Sequence, residues 1–132
     1  MTTKIDVFIQ NKNWKKYIRN PKRHLEKNFR YAQANIKEIE NRNINLTILL
    51  AGNKEIKILN KKFRNKNKHT DVLSFPFNKK QKKLKENYLG DIIISFNYMN
   101  KPKNLNNYEF KIKTIKIFIH GFLHLLGHDH QK

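Results

Sequence analysis

The chain ends in the stretch Ile119-His120-Gly121-Phe122-Leu123-His124-Leu125-Leu126-Gly127-His128-Asp129-His130, and the rest of the sequence is organised around it. His120 and His124 are four residues apart, so a helix places both imidazoles on one face, one turn apart. Gly127 can adopt the left-handed conformation that ends a helix, which would bring His130 toward the same point. Three imidazoles leave one tetrahedral position of Zn²⁺ open, as in a catalytic rather than a structural site.

The segment that carries the histidine pair is strongly apolar. We expect a helix from about Tyr108 to Leu126, with apolar residues at Phe110, Ile115, Phe118, Ile119, Phe122, Leu123 and Leu126. A helix of this character must bury much of its surface against a core. The pattern therefore predicts that the two histidines are held on a rigid, largely buried helix.

Upstream, the apolar pattern predicts four strands and two further helices. The strands are expected near Lys4–Gln10, Asn43–Leu50, Thr70–Phe75 and Leu89–Ser95. One amphipathic helix begins at Pro21, and its apolar residues are Leu25, Phe29, Ala32, Ile36 and Ile39. A shorter helix, with Ile56, Leu59 and Phe63 as its apolar residues, ends near Arg64. The segments Asn11–Asn20 and Asn97–Asn107 are expected to be irregular connections, with Trp14 packed against the core. The last two strands are most simply an antiparallel pair. The order β-α-β-α-β-β-α predicts a single α+β domain over residues 1–132, with helices packed on a mixed four-stranded sheet.

The composition favours a polyanionic partner. Lys and Arg number 29 against 10 Asp and Glu, which gives a formal charge of +19. The electrostatic field of so large a positive charge attracts nucleic acid in a salt-dependent way. A compositional bias of the genome would produce the same excess of lysine. There is no cysteine, and no segment resembles a signal peptide or is long enough to span a membrane. We therefore expect a cytoplasmic protein with no membrane partner.

The histidine spacing limits the possible chemistry. His-x3-His-x2-Gly-x2-His is also the ligand spacing of metzincin proteases, in which a Glu directly after the first histidine is the general base. Gly121 occupies that position here. The sequence thus retains the ligands and lacks the protease base, which disfavours a zinc peptidase. A non-catalytic ribosome-binding factor with a structural metal is a third possibility, and the open fourth position argues against it.

The histidine motif resembles the signature of the YbeY-type endoribonucleases, the bacterial rRNA maturation factors. Further segments are similar to the same family, in the same order, from about residue 44 to the C-terminus. They are Leu59-Asn60 leading to Phe63-Arg64, Thr70-Asp71-Val72-Leu73-Ser74-Phe75-Pro76, and Leu89-Gly90-Asp91-Ile92-Ile93-Ile94-Ser95.

The resemblance implies a zinc-dependent, single-strand-specific endoribonuclease that acts in 16S rRNA 3′-end maturation and ribosome quality control. Its partners would be single-stranded rRNA and the ribosome or its small subunit, with no DNA expected. It implies that His120, His124 and His130 bind one Zn²⁺ and that Arg64 is a phosphate-binding catalytic residue. A guanidinium suits that role because it stays charged and presents a planar fork of donors. The alternative for Arg64 is one more solvated charge at a helix end.

In the mechanism this implies, zinc activates water or an RNA 2′-hydroxyl, and Arg64 offsets charge on the attacked phosphate. Asp71, Asp91 and Asp129 are candidates for the general base, or for acceptors that orient a ligand ring. His128 stands where the family more often has a tyrosine, and we expect an exposed histidine there. Family members usually continue beyond the motif, whereas this sequence stops two residues after His130. We therefore expect His130 to be the least firmly held ligand.

Overall fold

A computed structural model describes residues 3–37, 43–64, 71–77, 88–99 and 105–127. The strands are β1 (Thr3–Ile9), β2 (Ile44–Ala51), β3 (Val72–Pro76) and β4 (Tyr88–Ser95). The helices are α1 (Trp14–Tyr17), α2 (Pro21–Gln33), α3 (Asn53–Arg64), α4 (Phe96–Met99) and α5 (Asn107–Leu125). None of the helices in these ranges combines the length and apolar character needed to cross a bilayer.

The four strands form one mixed sheet in the order β1-β2-β4-β3. β1 and β4 are both parallel to β2, and β3 runs antiparallel to β4 at the edge of the sheet. The predicted α+β class, the mixed sheet and the antiparallel last pair are therefore confirmed. That residues 1–132 make up one domain stays a prediction, because several segments, including the lysine-rich one at 78–87, lie outside the described residues.

Both faces of the sheet carry apolar side chains, because successive residues of a strand point to opposite sides. On one face, Ile48 and Ile92 join the larger core, to which α2 and α5 contribute Phe29, Phe118 and Phe122. On the other face, Ile93 and Leu73 pack with Ile56 of α3. Strand β3 thus has α5 on one side and α3 on the other.

Helices α2 and α5 run side by side in the same direction. Near their beginnings, His24 of α2 is hydrogen-bonded to the carbonyl of Lys111 on α5. Further along, the Phe29 ring packs against Phe118 and Phe122, with centroid distances of 5.3 and 4.6 Å. This packing fixes which flank of α5 faces α2.

Two short helices and one helix end differ from the sequence prediction. The segments after β1 and β4 were expected to be irregular, and each contains a four-residue helix. Trp14 in α1 is fully buried, as expected, and its indole N–H donates to the carbonyl of Ala51 at 3.0 Å. The apolar spacing extends α2 to Ile39, but the helix ends at Gln33.

Candidate metal and RNA site

The histidine pair lies near the end of α5, the helix expected to carry the site. A capping box begins α5: Asn106 accepts the Glu109 N–H at 2.8 Å, and the Glu109 carboxylate accepts the Asn106 N–H at 3.0 Å. At the other end, Gly127 has φ +93°, the left-handed conformation predicted for it. The predicted bounds, Tyr108 to Leu126, differ from the observed ones by one residue at each end.

His120 and His124 converge as their spacing predicts. Their Nε2 atoms are 2.9 Å apart and their ring centroids 4.7 Å apart. His120 is exposed and His124 is half-buried, so the pair faces outward although the opposite face of α5 is buried. Two nitrogens that bind one tetrahedral zinc ion at 2.0–2.1 Å lie roughly 3.3 Å apart. A small rotation of the rings would therefore give the pair the spacing of two metal ligands.

The imidazole nitrogens of His120 and His124 are suitable zinc ligands. The described part of the chain does not provide a third ligand beside them. Imidazole nitrogen is a common zinc ligand, but two ligands are fewer than known catalytic sites use. Within residues 3–37, 43–64, 71–77, 88–99 and 105–127, no group of three or more His, Cys, Asp or Glu side chains could hold a metal. The expected third ligand, His130, lies outside those residues. The three-histidine site stays a prediction.

Helix α5 packs tightly against the sheet at Gly121. A Cβ at this position would lie 2.9 Å from Val72 Cγ2 and 3.0 Å from Ile92 Cγ2. Both atoms belong to short, branched side chains with little freedom to move. A glutamate could not occupy position 121 without displacing the helix, and it would point into the sheet. The structure thus adds a packing reason to the sequence argument against a peptidase.

Ser74 of β3 holds α5 at the same point. Its hydroxyl, buried between strand and helix, donates a 2.8 Å hydrogen bond to the carbonyl oxygen of Gly121. With Gly121 against the sheet, His120 and His124 lie roughly 60–100° around the helix in one rotational sense, at 100° per residue. Phe118 and Phe122 lie in the opposite sense and face α2. The histidines are thereby placed on the flank of α5 that faces away from α2.

The sequence singled out the Val72–Phe75 segment by resemblance and did not foresee what its serine does. The available signal was a polar residue inside an otherwise apolar strand, between Leu73 and Phe75. Such a hydroxyl must find an acceptor when it is buried. Which acceptor it finds depends on the packing of α5 against β3.

The remaining predicted site residues are spread over several elements. Arg64 is the last residue of α3, as expected, but its side chain is not among those described. Asp91 is exposed on β4, where the Tyr88 hydroxyl donates a hydrogen bond to it. Burial, followed by that bond, raises the pKa of Tyr88 to about 12. The backbone carbonyl of Asp71 accepts the Ser95 N–H, and His128 and Asp129 lie outside the described residues.

Comparison with known proteins gives one consistent result. A family model described as Endoribonuclease YbeY matches residues 8–132. Endoribonuclease YbeY of Pelagibacter ubique (strain HTCC1062) is 58% identical over 129 residues, which are 98% of this chain and 84% of that protein. The protein of that name from Ehrlichia canis (strain Jake) is 37% identical over 129 residues, with 97% and 80% covered.

Two further matches cover different shares of the chain. Endoribonuclease YbeY of Persephonella marina (strain DSM 14350 / EX-H1) is 40% identical over 90 residues, 68% of this chain and 59% of that protein. The solution structure of TM1509 from Thermotoga maritima matches with a TM-score of 0.52 and 27% identity. That match covers 96% of this chain and 75% of the Thermotoga chain.

Proposed function

This chain belongs to the Endoribonuclease YbeY family, and we propose that it is a zinc-dependent endoribonuclease that cleaves single-stranded RNA. The observation that carries the proposal is the outward-facing pair His120 and His124, with Nε2 atoms 2.9 Å apart, in a chain 58% identical to a relative named as an endoribonuclease. The charge of +19 supports a polyanionic substrate.

His120, His124 and His130 are the residues that would hold one zinc ion. When bound, zinc supplies Lewis acidity, which polarises a phosphoryl oxygen and makes water a stronger nucleophile near neutral pH. The buried contact of Ser74 with Gly121 orients the first two ligands. Arg64 binds the scissile phosphate and offsets the negative charge that accumulates on it during attack.

The resemblance of the histidine motif extends the proposal to a biological role. We assign the protein to 16S rRNA 3′-end maturation and ribosome quality control. The ribosome, or its small subunit, is its partner, and the cytoplasm is where it acts. The net charge of +19 would strengthen binding to any exposed rRNA, with little preference for sequence.

Cleavage of a labelled single-stranded RNA by the purified protein, together with analysis of its metal content, tests the proposal. We expect about one zinc per chain and cleavage that a chelator abolishes and zinc restores. Arg64→Ala should lower the cleavage rate by roughly 100-fold or more and leave zinc content unchanged. Arg30→Ala removes the same charge from the exposed face of α2 and serves as the matched control. Equal rates for both arginine variants would remove Arg64 from the site.

A further inference from the structure

Phe63, near the end of α3, is a large apolar side chain left mostly in solvent. It is 59% exposed, whereas Ile56 on the same helix is fully buried. The sequence pattern placed both residues on one apolar face, so the exposure of Phe63 is a departure from expectation. Its ring packs against Phe75 of β3 in a T-shaped contact, with centroids 5.6 Å apart and planes at 71°. The contact holds the ring in place without covering it.

The surroundings of this ring are strongly basic. Helix α3 carries one acidic residue, Glu55, whose carboxylate already accepts the N–H of Gly52 at 3.0 Å. Its basic residues are Lys54, Lys57, Lys61, Lys62 and Arg64. The ammonium of Lys62 lies 5.4 Å from the centre of the Phe63 ring. A solitary exposed phenylalanine needs no explanation, but a fixed ring on a cationic helix combines the two features that bind single-stranded nucleic acid.

We propose that Phe63 is a stacking platform for one base of a single-stranded RNA, whose phosphates are bound by the lysines of α3. The inference rests on the proposed function and names how that substrate is held. A base can stack on the ring only when it is unpaired and splayed from its neighbours. Every base offers such a face, so the site selects single strands without selecting a sequence.

Strand β3 connects this platform to the histidines. Ser74 and Phe75 are consecutive, so their side chains point to opposite faces of the sheet. Ser74 is bonded to Gly121 between the two histidines, and Phe75 supports the Phe63 ring. Strand β3 is at the edge of the sheet. An RNA strand that passes around this edge would therefore contact both faces. Arg64, the proposed phosphate-binding residue, directly follows Phe63 in the sequence.

Tryptophan fluorescence tests the platform directly. The single native tryptophan, Trp14, is fully buried, so it reports little on RNA bound at the surface. In Phe63→Trp, a base that stacks on the new indole should quench its fluorescence. The matched control is Ile58→Trp, since Ile58 is 56% exposed on the same basic helix. The probe is a 2′-O-methyl oligouridylate of about 12 nucleotides, which resists attack by its own 2′-oxygen.

Affinity and cleavage provide independent readouts. Phe63→Leu should weaken binding of the oligonucleotide by roughly tenfold, while Ile58→Ala leaves it unchanged. Equal binding by wild type and Phe63→Leu, with no selective quenching of the fluorescence of Phe63→Trp, would contradict the stacking role of Phe63. If wild type still cleaves single-stranded RNA in that case, the proposed function stands without it. If wild type neither binds nor cleaves RNA, both proposals are wrong.

Discussion

The hydroxyl of Ser74 donates a 2.8 Å hydrogen bond to the carbonyl oxygen of Gly121, and this contact joins the edge strand β3 to the helix that carries His120 and His124. It lies where α5 packs tightly against the sheet. A shift or rotation of the helix there would move both imidazoles together. The orientation of the proposed metal ligands therefore depends on a residue that would not touch the metal.

Replacement of Ser74 by alanine should reduce both stability and zinc affinity. The loss of a buried hydrogen bond lowers the free energy of unfolding by about 1 kcal/mol. Ser95→Ala is the matched control, because Ser95 is also buried and donates to Asn53 Oδ1 at 2.9 Å, at the start of α3. Both variants should melt earlier than wild type, but only Ser74→Ala should bind zinc less tightly. Equal zinc affinities in the two variants would contradict the positioning role of Ser74.

Replacement of Gly121 by alanine should destabilise the protein, although this replacement usually stabilises a helix. Alanine favours the helical conformation by about 1 kcal/mol relative to glycine. The new methyl group would be 2.9–3.0 Å from the Val72 and Ile92 side chains, and such overpacking costs about 1–3 kcal/mol. We expect a net loss of about 1 kcal/mol in chemical denaturation. A variant as stable as wild type would show that α5 can move away from the sheet freely.

Protonation of His24 should destabilise the folded protein as the pH falls. Burial, together with nearby Lys111 and Lys27, lowers the pKa of His24 below 6.5 despite its hydrogen bond to the Lys111 carbonyl. The Asn28 amide nitrogen lies 3.3 Å from the other ring nitrogen, and it cannot accept a hydrogen bond from a second ring proton. The unfolded chain therefore takes up the proton first.

The stability contributed by neutral His24 is complete above pH 6.5 and is lost as the pH falls from there through the lower folded-state pKa. Unfolding by urea at several pH values measures the effect. In His24→Gln, the decline in stability between neutral and mildly acidic pH should be smaller than in wild type. A decline of the same size in both proteins would place the responsible group elsewhere.

Tyr88 should ionise only at unusually high pH in the folded protein. Its pKa is raised to about 12 by burial and by the hydrogen bond it donates to Asp91. The contribution to stability is present below pH 10 and is lost as the pH rises from 10 through 12, because the unfolded chain ionises first. The rise in phenolate absorbance near pH 12 should be smaller in Tyr88→Phe than in wild type. The same absorbance curve in Tyr88→Phe and wild type would contradict the raised pKa of Tyr88.

The sequence predicted the elements that have a regular apolar period and not those whose form depends on packing. Alternation in Ile44–Leu50 identified β2, and the four-residue spacing of His120 and His124 was enough to place them together. Helices α1 and α4 have four residues each, too few to show a helical period. The apolar spacing of α2 also continues to Ile36, past the observed end of the helix at Gln33. Ile36 packs against the core from the segment after the helix, so its apolar character does not require a helical conformation.

The sheet order and the supports of the site could not be predicted, because they depend on contacts between distant residues. The antiparallel pairing of β3 with β4 was predicted. Nothing in the sequence specifies that β4 lies between β2 and β3, or that Ser74 meets Gly121 47 positions later. Phe63 has the spacing of a core residue and is 59% exposed, although Ile56, seven positions earlier on the same face of α3, is fully buried. The roles of Arg64 and His130 come from family resemblance and stay predictions.

The rate at which His124→Ala cleaves single-stranded RNA in the presence of zinc tests the proposed metal site most directly. Lys116→Ala, an exposed change on the same helix, controls for effects of the helix surface. Because loss of residues that merely support metal ligands reduces metal affinity or activity by roughly 10–100-fold, loss of a ligand should reduce the rate at least that much. We expect this reduction for His124→Ala and a wild-type rate for Lys116→Ala. Equal cleavage by His124→Ala and wild type would contradict the proposed role of His124 as a metal ligand.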